Sequence, residues 1–185
     1  MSRSLLIQRR PGGTGVDVVQ LRRAIRLLLQ DLLEADRFDL AIYLVRSPEM
    51  AQLNQKFLQH EGSTDVITFD YADERRAGSL PAQRARQRAR DVGFANVVRQ
   101  DACPALHGEI FICLDDAVSQ ARRFRTTWTS ELVRYAVHGI LHLLGHDDSR
   151  PAARRKMKRE ENRLVKELAR RFPLSKIGRD SRLAR

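Results

Sequence analysis

His138-Gly139-Ile140-Leu141-His142-Leu143-Leu144-Gly145-His146-Asp147-Asp148 places three of the chain's five histidines and a pair of aspartates within eleven positions. The residues before it, Leu132-Val133-Arg134-Tyr135-Ala136-Val137, are apolar enough to predict a largely buried helix. On such a helix, histidines four apart project from one face. Neutral imidazole is the usual protein ligand for zinc, nickel, copper or iron, so His138 and His142 are candidate ligands for one ion. Gly145 stands three residues after His142, where a glycine takes the left-handed conformation that ends a helix and reverses the chain. That turn would carry Asp148 back toward the ion. His-x-x-x-His-x-x-Gly-x-x-ligand supplies three protein ligands and leaves coordination positions open, the arrangement of reactive rather than structural metal sites.

The residue after His138 narrows the chemistry. Zinc proteases with this spacing carry a glutamate there, as general base toward the attacking water. This chain has Gly139, which cannot move a proton, so peptidase activity is disfavoured. Two assignments of the third ligand stay open. In one, His138, His142 and Asp148 bind the ion; in the other, His146 binds it and Asp148 orients an imidazole from behind.

Outward from this segment, hydrophobic periodicity predicts the remaining elements. Leu5 to Gln8 reads as a short strand ended by Pro11-Gly12-Gly13. Asp17 to Glu34 carries the apolar stripe Val18, Leu21, Ile25, Leu28, Leu29 and Leu32 of an amphipathic helix. Leu40 to Val45 is a second strand. Ser47-Pro48-Glu49 reads as a helix start with Ser47 as cap, and Leu53, Phe57 and Leu58 are expected to face the core. Val66 to Phe69 and Glu109 to Leu114 are β-branched and aromatic strands. Helices follow over about 115–123, 129–144 and 151–171. The order implies an α+β (α/β-like) architecture, a mixed sheet of about four strands packed by helices. Residues 1–172 read as one domain, interrupted over about 73–105 by a stretch containing Gln83-Arg84-Ala85-Arg86-Gln87-Arg88-Ala89-Arg90, which reads as an insertion. The basic residues 173–185 lack periodicity and are expected to be a disordered tail.

Lys and Arg exceed Asp and Glu by 34 to 23, for a net charge of +11. A surplus of that size attracts polyanions and suits a nucleic-acid substrate, although a solvated arginine-rich surface has the same composition. The two cysteines, Cys103 and Cys113, show no paired spacing, so no disulfide is expected and a cytoplasmic location is. The apolar run near the start, Leu5-Leu6-Ile7, is too short for a signal sequence, and no stretch approaches a membrane span.

His-Gly-x-Leu-His-Leu-x-Gly at 138–145 and the acids after it resemble the signature of the YbeY family of metal-dependent endoribonucleases. Leu53-Asn54 leading to Thr64-Asp65-Val66-Ile67-Thr68-Phe69, and Gly108-Glu109-Ile110-Phe111-Ile112-Cys113, are similar to two further blocks of that family in the same order. The resemblance covers about 40 to 165. It implies a central histidine helix, one divalent ion, most simply zinc, and single-strand-specific cleavage in ribosomal RNA maturation at the small-subunit 3′ end, with ribosomal subunits or assembly proteins as partners. It also implies a cleft lined by the strand after Thr64-Asp65, which makes Thr64 and Asp65 candidates for the cleft wall, or alternatively a strand-initiating turn. The chain departs from the family pattern twice. Asp148 stands where the third ligand is usually histidine, and Leu58 stands where many members carry an arginine that contacts RNA phosphate. His60, two residues on, is a candidate substitute for it. A ribosome-assembly factor with a structural metal is the alternative reading.

Overall fold

Runs of β-branched and aromatic residues form the strands, and the two most apolar runs sit in the middle of the sheet, where both faces are covered. The computed structural model describes residues 3–11, 15–71 and 106–179. Within them, strands β1 (Arg3–Arg9), β2 (Phe38–Val45), β3 (Val66–Asp70) and β4 (Leu106–Cys113) form one sheet in the order β1-β2-β4-β3. β1, β2 and β4 run parallel, and β3 pairs antiparallel with β4. Helices α1 (Val18–Leu27), α2 (Ser47–Leu58), α3 (Leu114–Phe124), α4 (Trp128–Leu143) and α5 (Pro151–Arg171) complete the mixed α+β fold.

The pleat of β2 and β4 divides the core in two. Leu40, Ile42, Leu44, Ile110 and Ile112 belong to one core with buried residues of α1, α4 and α5. The opposite face, with Ala41, Tyr43, Val45, Phe111 and Cys113, packs against Met50, Leu53 and Phe57 of α2. α4 lies against the first face so closely that a side chain is excluded at Gly139: a Cβ there would stand 2.8 Å from Ile110 Cγ2 and 3.1 Å from Thr68 Cγ2. Every residue of α4 is buried except Ser130, Arg134, His138 and His142. These four are spaced four apart and form a single row along the helix.

Several expectations are corrected. The first helix does not continue regularly to Glu34, because Leu28–Leu32 widens into a π-helical turn in which Leu28 and Leu29 are both fully buried. Arg46, not Ser47, occupies the cap position of α2, and Ser47 donates its backbone N–H to Asp115 Oδ2 at 2.8 Å. The Arg46 guanidinium binds the same carboxylate at 2.7 Å and 2.9 Å. Asp115, at the start of α3, thus supplies from a distant part of the chain the acceptor that a serine cap supplies locally. Leu58 does not face the core; it is 49% exposed at the end of α2, where Gln59 enters the left-handed region at φ 59°. Residues 173–179, expected to belong to a disordered tail, take a defined path. Ile177 is fully buried within a short 3-10 turn, Leu174–Ile177, and Arg179 binds Asp17 at 3.0 Å. One buried apolar residue anchors this segment, a signal too brief for periodicity to register.

The 73–105 stretch and Cys103 lie outside the described residues. Cys113 is a free, buried thiol. Among the described residues, no helix is long and apolar enough to cross a membrane.

Candidate metal centre

His138 and His142 lie on the exposed row of α4, and their rings meet through the Nε2 atoms, 3.0 Å apart. Each Nδ1 faces an atom that can only accept. His138 Nδ1 is 3.1 Å from the Glu161 carboxylate, and His142 Nδ1 is 3.1 Å from the backbone carbonyl of His146. Both protons are therefore on Nδ1, and both Nε2 lone pairs point into the same space. Burial, and then the neighbouring His138, push the His142 imidazole below its ordinary pKa, which keeps it neutral. Two lone pairs at this separation repel unless a cation sits between them. The spacing is close to the ~3.3 Å that two imidazole nitrogens span across a tetrahedral zinc.

Gly145 delivers the third group. Its φ is +83°, its N–H donates to His142 O, and the next N–H, of His146, donates to Leu141 O. This pair of bonds is a Schellman motif, which closes the helix and turns the chain back across its end. Asp148 then stands with its carboxylate 4.0 Å from His138 Nε2 and 3.9 Å from His142 Nε2. The ligand atoms of His138, His142 and Asp148 lie within 4.8 Å of one another, and among the described residues no other group of histidine, cysteine or acidic side chains converges in this way. The loop is held by Asp147, which accepts from the N–H and hydroxyl of Ser149, and by Arg154, whose Nε donates to Asp148 O at 3.0 Å. All three candidate ligands are partly exposed, at 23%, 27% and 40%, so the cluster opens to solvent on one side.

Glu161 of α5 was not singled out from the sequence. It is 2% exposed, and its Oε1 accepts from Arg134 at 2.6 Å and Lys158 at 2.7 Å while Oε2 faces His138. Burial alone would raise its pKa, but the bonds from His138, Lys158 and Arg134 outweigh that and hold it down at about 2. A full negative charge therefore stands behind the imidazole at neutral pH, the arrangement that fixes a metal-bound histidine's tautomer and raises its basicity. A signal for it existed: Glu161 interrupts the apolar stripe Met157, Leu164, Val165 and Leu168, where an acid persists only if paired.

The other sequence candidates stand elsewhere. His146 contributes its backbone carbonyl, and its side chain is not part of the converging cluster. His60 is exposed in the loop after α2. Asp65 accepts from the Val66 N–H and from Thr64 Oγ1, and its carbonyl takes the Cys113 N–H, so Thr64 and Asp65 lead directly into β3. From that strand, Thr68 lies beneath the α4 backbone at Gly139.

This donor set, two imidazoles oriented through their Nδ1 atoms and a carboxylate with one side open, fits a single divalent ion. The sequence matches the family described as endoribonuclease YbeY over residues 14–169. The endoribonuclease YbeY of Acidothermus cellulolyticus is 34% identical over 145 residues, covering 78% of this chain and 79% of that protein. The one from Salinibacter ruber is 30% identical over 144 residues, covering 76% and 79%. The solution structure of a Thermotoga maritima protein aligns with a TM-score of 0.54 at 23% identity over 89% of both chains, a likeness of fold. By sequence match and shared architecture, the chain belongs to the endoribonuclease YbeY family.

Proposed function

We propose that this protein is a single-strand-specific, metal-dependent endoribonuclease that acts in ribosomal RNA maturation at the small-subunit 3′ end and in ribosome assembly, with His138, His142 and Asp148 holding one zinc ion. The observation that carries the reading is the convergence of two Nε2 lone pairs and a carboxylate on one open point, with both Nδ1 protons already committed to acceptors. Lewis acidity toward a phosphodiester oxygen and its attacking hydroxyl is the chemistry such an ion supplies. The chain's own part is preorganisation. Glu161 and the His146 carbonyl aim the imidazoles, and the Gly145 turn places Asp148. Gly139, directed at Ile110 and Thr68, brings no proton acceptor to the open side. Modest turnover on naked RNA follows, and presentation of the strand by a ribosomal subunit or assembly protein in the cytoplasm would raise it. Residues 1–172 act as one domain, and the 73–105 stretch is an insertion in it.

The test is cleavage of a labelled single-stranded RNA spanning a precursor small-subunit 3′ end by the purified protein, with and without chelator, alongside His142→Ala. Cleavage lost in both controls supports the reading. No cleavage by the metal-loaded wild type overturns it in favour of an assembly factor with a structural metal, for which removing the ion would unfold the protein. Leu58, an exposed apolar residue where many relatives have arginine, is the observation on the side of that second reading.

A further inference from the structure

The charges of α5 are sorted along its length. In the C-terminal half, each exposed acid has its base: Glu160 binds Arg163 at 2.6 Å and 2.9 Å, and Glu167 binds Arg170 and Arg171. The N-terminal half has no acidic residue in its first turn, yet contains Arg154, Arg155, Lys156 and Arg159, all exposed. None of these four pairs with a carboxylate among the described residues, and the one bond made is from Arg154 Nε to the Asp148 carbonyl. Arg155 and Arg159 are one turn apart, so their like charges weaken the helix by a few tenths of a kcal/mol. Positive side chains near the positive end of a helix add to that cost. A surface that pays this locally is suited to an anion from outside.

The position of the stripe says which anion. Arg154 touches the backbone of the candidate ligand Asp148, and Lys158 and Asn162, on the same flank of α5, reach the Glu161–Arg134 pair behind His138. The unneutralised first turns of α5 therefore adjoin the metal cluster through Arg154.

Building on the ribonuclease reading, we infer that Arg154, Arg155 and Arg159 form a phosphate-binding stripe along which the RNA strand lies as it enters the metal cluster. The contacts are to the backbone and carry no base preference.

The experiment measures binding of a fluorescein-labelled single-stranded oligoribonucleotide to the full chain from 50 to 200 mM salt, with chelator in every arm to prevent cleavage. Two double variants each remove two charges, Arg155→Gln/Arg159→Gln in the stripe and Arg170→Gln/Arg171→Gln at the far end. Each phosphate contact to a single strand contributes ~0.7 to the slope of log K against log[salt]. The stripe variant is expected to lose about 1.4 from the slope, so its deficit relative to wild type shrinks roughly 7-fold across this salt range. Adding Arg154→Gln lowers the slope by about 0.7 more, and the far-end variant keeps the wild-type slope. Equal losses in the two doubles, or none in the stripe variant, overturn the inference, the latter also if the stripe serves an acidic protein instead. Wild type lacking salt-dependent RNA binding would instead sink the ribonuclease reading beneath it. Thermal unfolding of each variant excludes misfolding as the cause.

Discussion

Replacing Glu161 by Gln tests the centre at its most buried support. The carboxylate accepts three donors on two oxygens, Arg134 and Lys158 on Oε1 and His138 Nδ1 on Oε2. An amide of the same shape has one acceptor and one NH2 group. Whichever way it turns, its NH2 meets either the His138 proton or the two cations. In the first case His138 loses its orienting acceptor, and in the second it keeps a neutral acceptor while the local negative charge disappears. Loss of such a partner lowers metal affinity 10- to 100-fold, about 1.4–2.7 kcal/mol.

The fold should tolerate the change better than the site does. Arg134 keeps Asn162 at 2.6 Å and Glu131 at 3.6 Å, and Lys158, 56% exposed, can turn to water. Zinc affinity is measured by competition with a chromophoric chelator, and thermal unfolding of the metal-free protein reports the fold separately. Glu161→Ala serves as a second variant, with about 1–3 kcal/mol lost from stability because a buried bond network is broken. A Glu161→Gln protein that binds zinc within about 3-fold of wild type, about half of the expected minimum on the logarithmic scale, would refute the positioning role.

Asp148→Ala is expected to lose bound zinc, whereas His146→Ala is expected to retain it, because His146 orients His142 through its backbone carbonyl; metal content after gel filtration decides, and the opposite pattern would make His146 the ligand. Gly139→Ala should cost about 1–3 kcal/mol by overpacking against Ile110 and Thr68, read as a lower Tm with the three ligands unchanged. Gly145→Ala meets no atom within 4 Å, so its cost, about 1–2 kcal/mol, is that of the left-handed backbone alone, and it should weaken zinc binding as Asp148 shifts. Burial opposes ionisation of Asp115, but Arg46 and the Ser47 N–H hold its folded pKa below 3.8. A depressed carboxyl contributes stability that is present above its unfolded value and lost as pH falls through the folded one. Asp115→Asn should therefore lower stability at neutral pH and flatten the acid limb of a stability curve below about pH 4; an unchanged acid limb would show that the Arg46 pair contributes nothing.

The parts that the sequence made legible are those specified within a few residues. Two histidines one turn apart, a glycine three residues on and an acid after it are local geometry, and the Schellman turn at Gly145 follows from them directly. The parts that were not legible depend on partners far along the chain. Glu161 meets His138 across 23 residues, and Asp115 meets Ser47 across 68, so neither pairing leaves a trace in periodicity. Leu58 was misplaced for a related reason: its apolarity predicts burial, but α2 ends just where it stands, and the left-handed Gln59 takes the chain away before the core is reached. His60 stays outside the cluster on that same departing loop.

Gly139 joins the two levels of the site. Read as chemistry, it is a missing general base, which argues against a protease. Read in the fold, it is the position where α4 presses its backbone onto β4 and β3, closer than a Cβ fits without a shift of Ile110. A glutamate at 139 would have to displace Ile110 and Thr68, so on this scaffold packing as well as chemistry opposes the protease arrangement. The same contact immobilises the helix from which His138 and His142 project on the opposite, open row. Rigid support beneath and free coordination space above are what a metal-assisted cut in a large, flexible polyanion requires, since the strand must be accommodated from solvent while the ligands hold still.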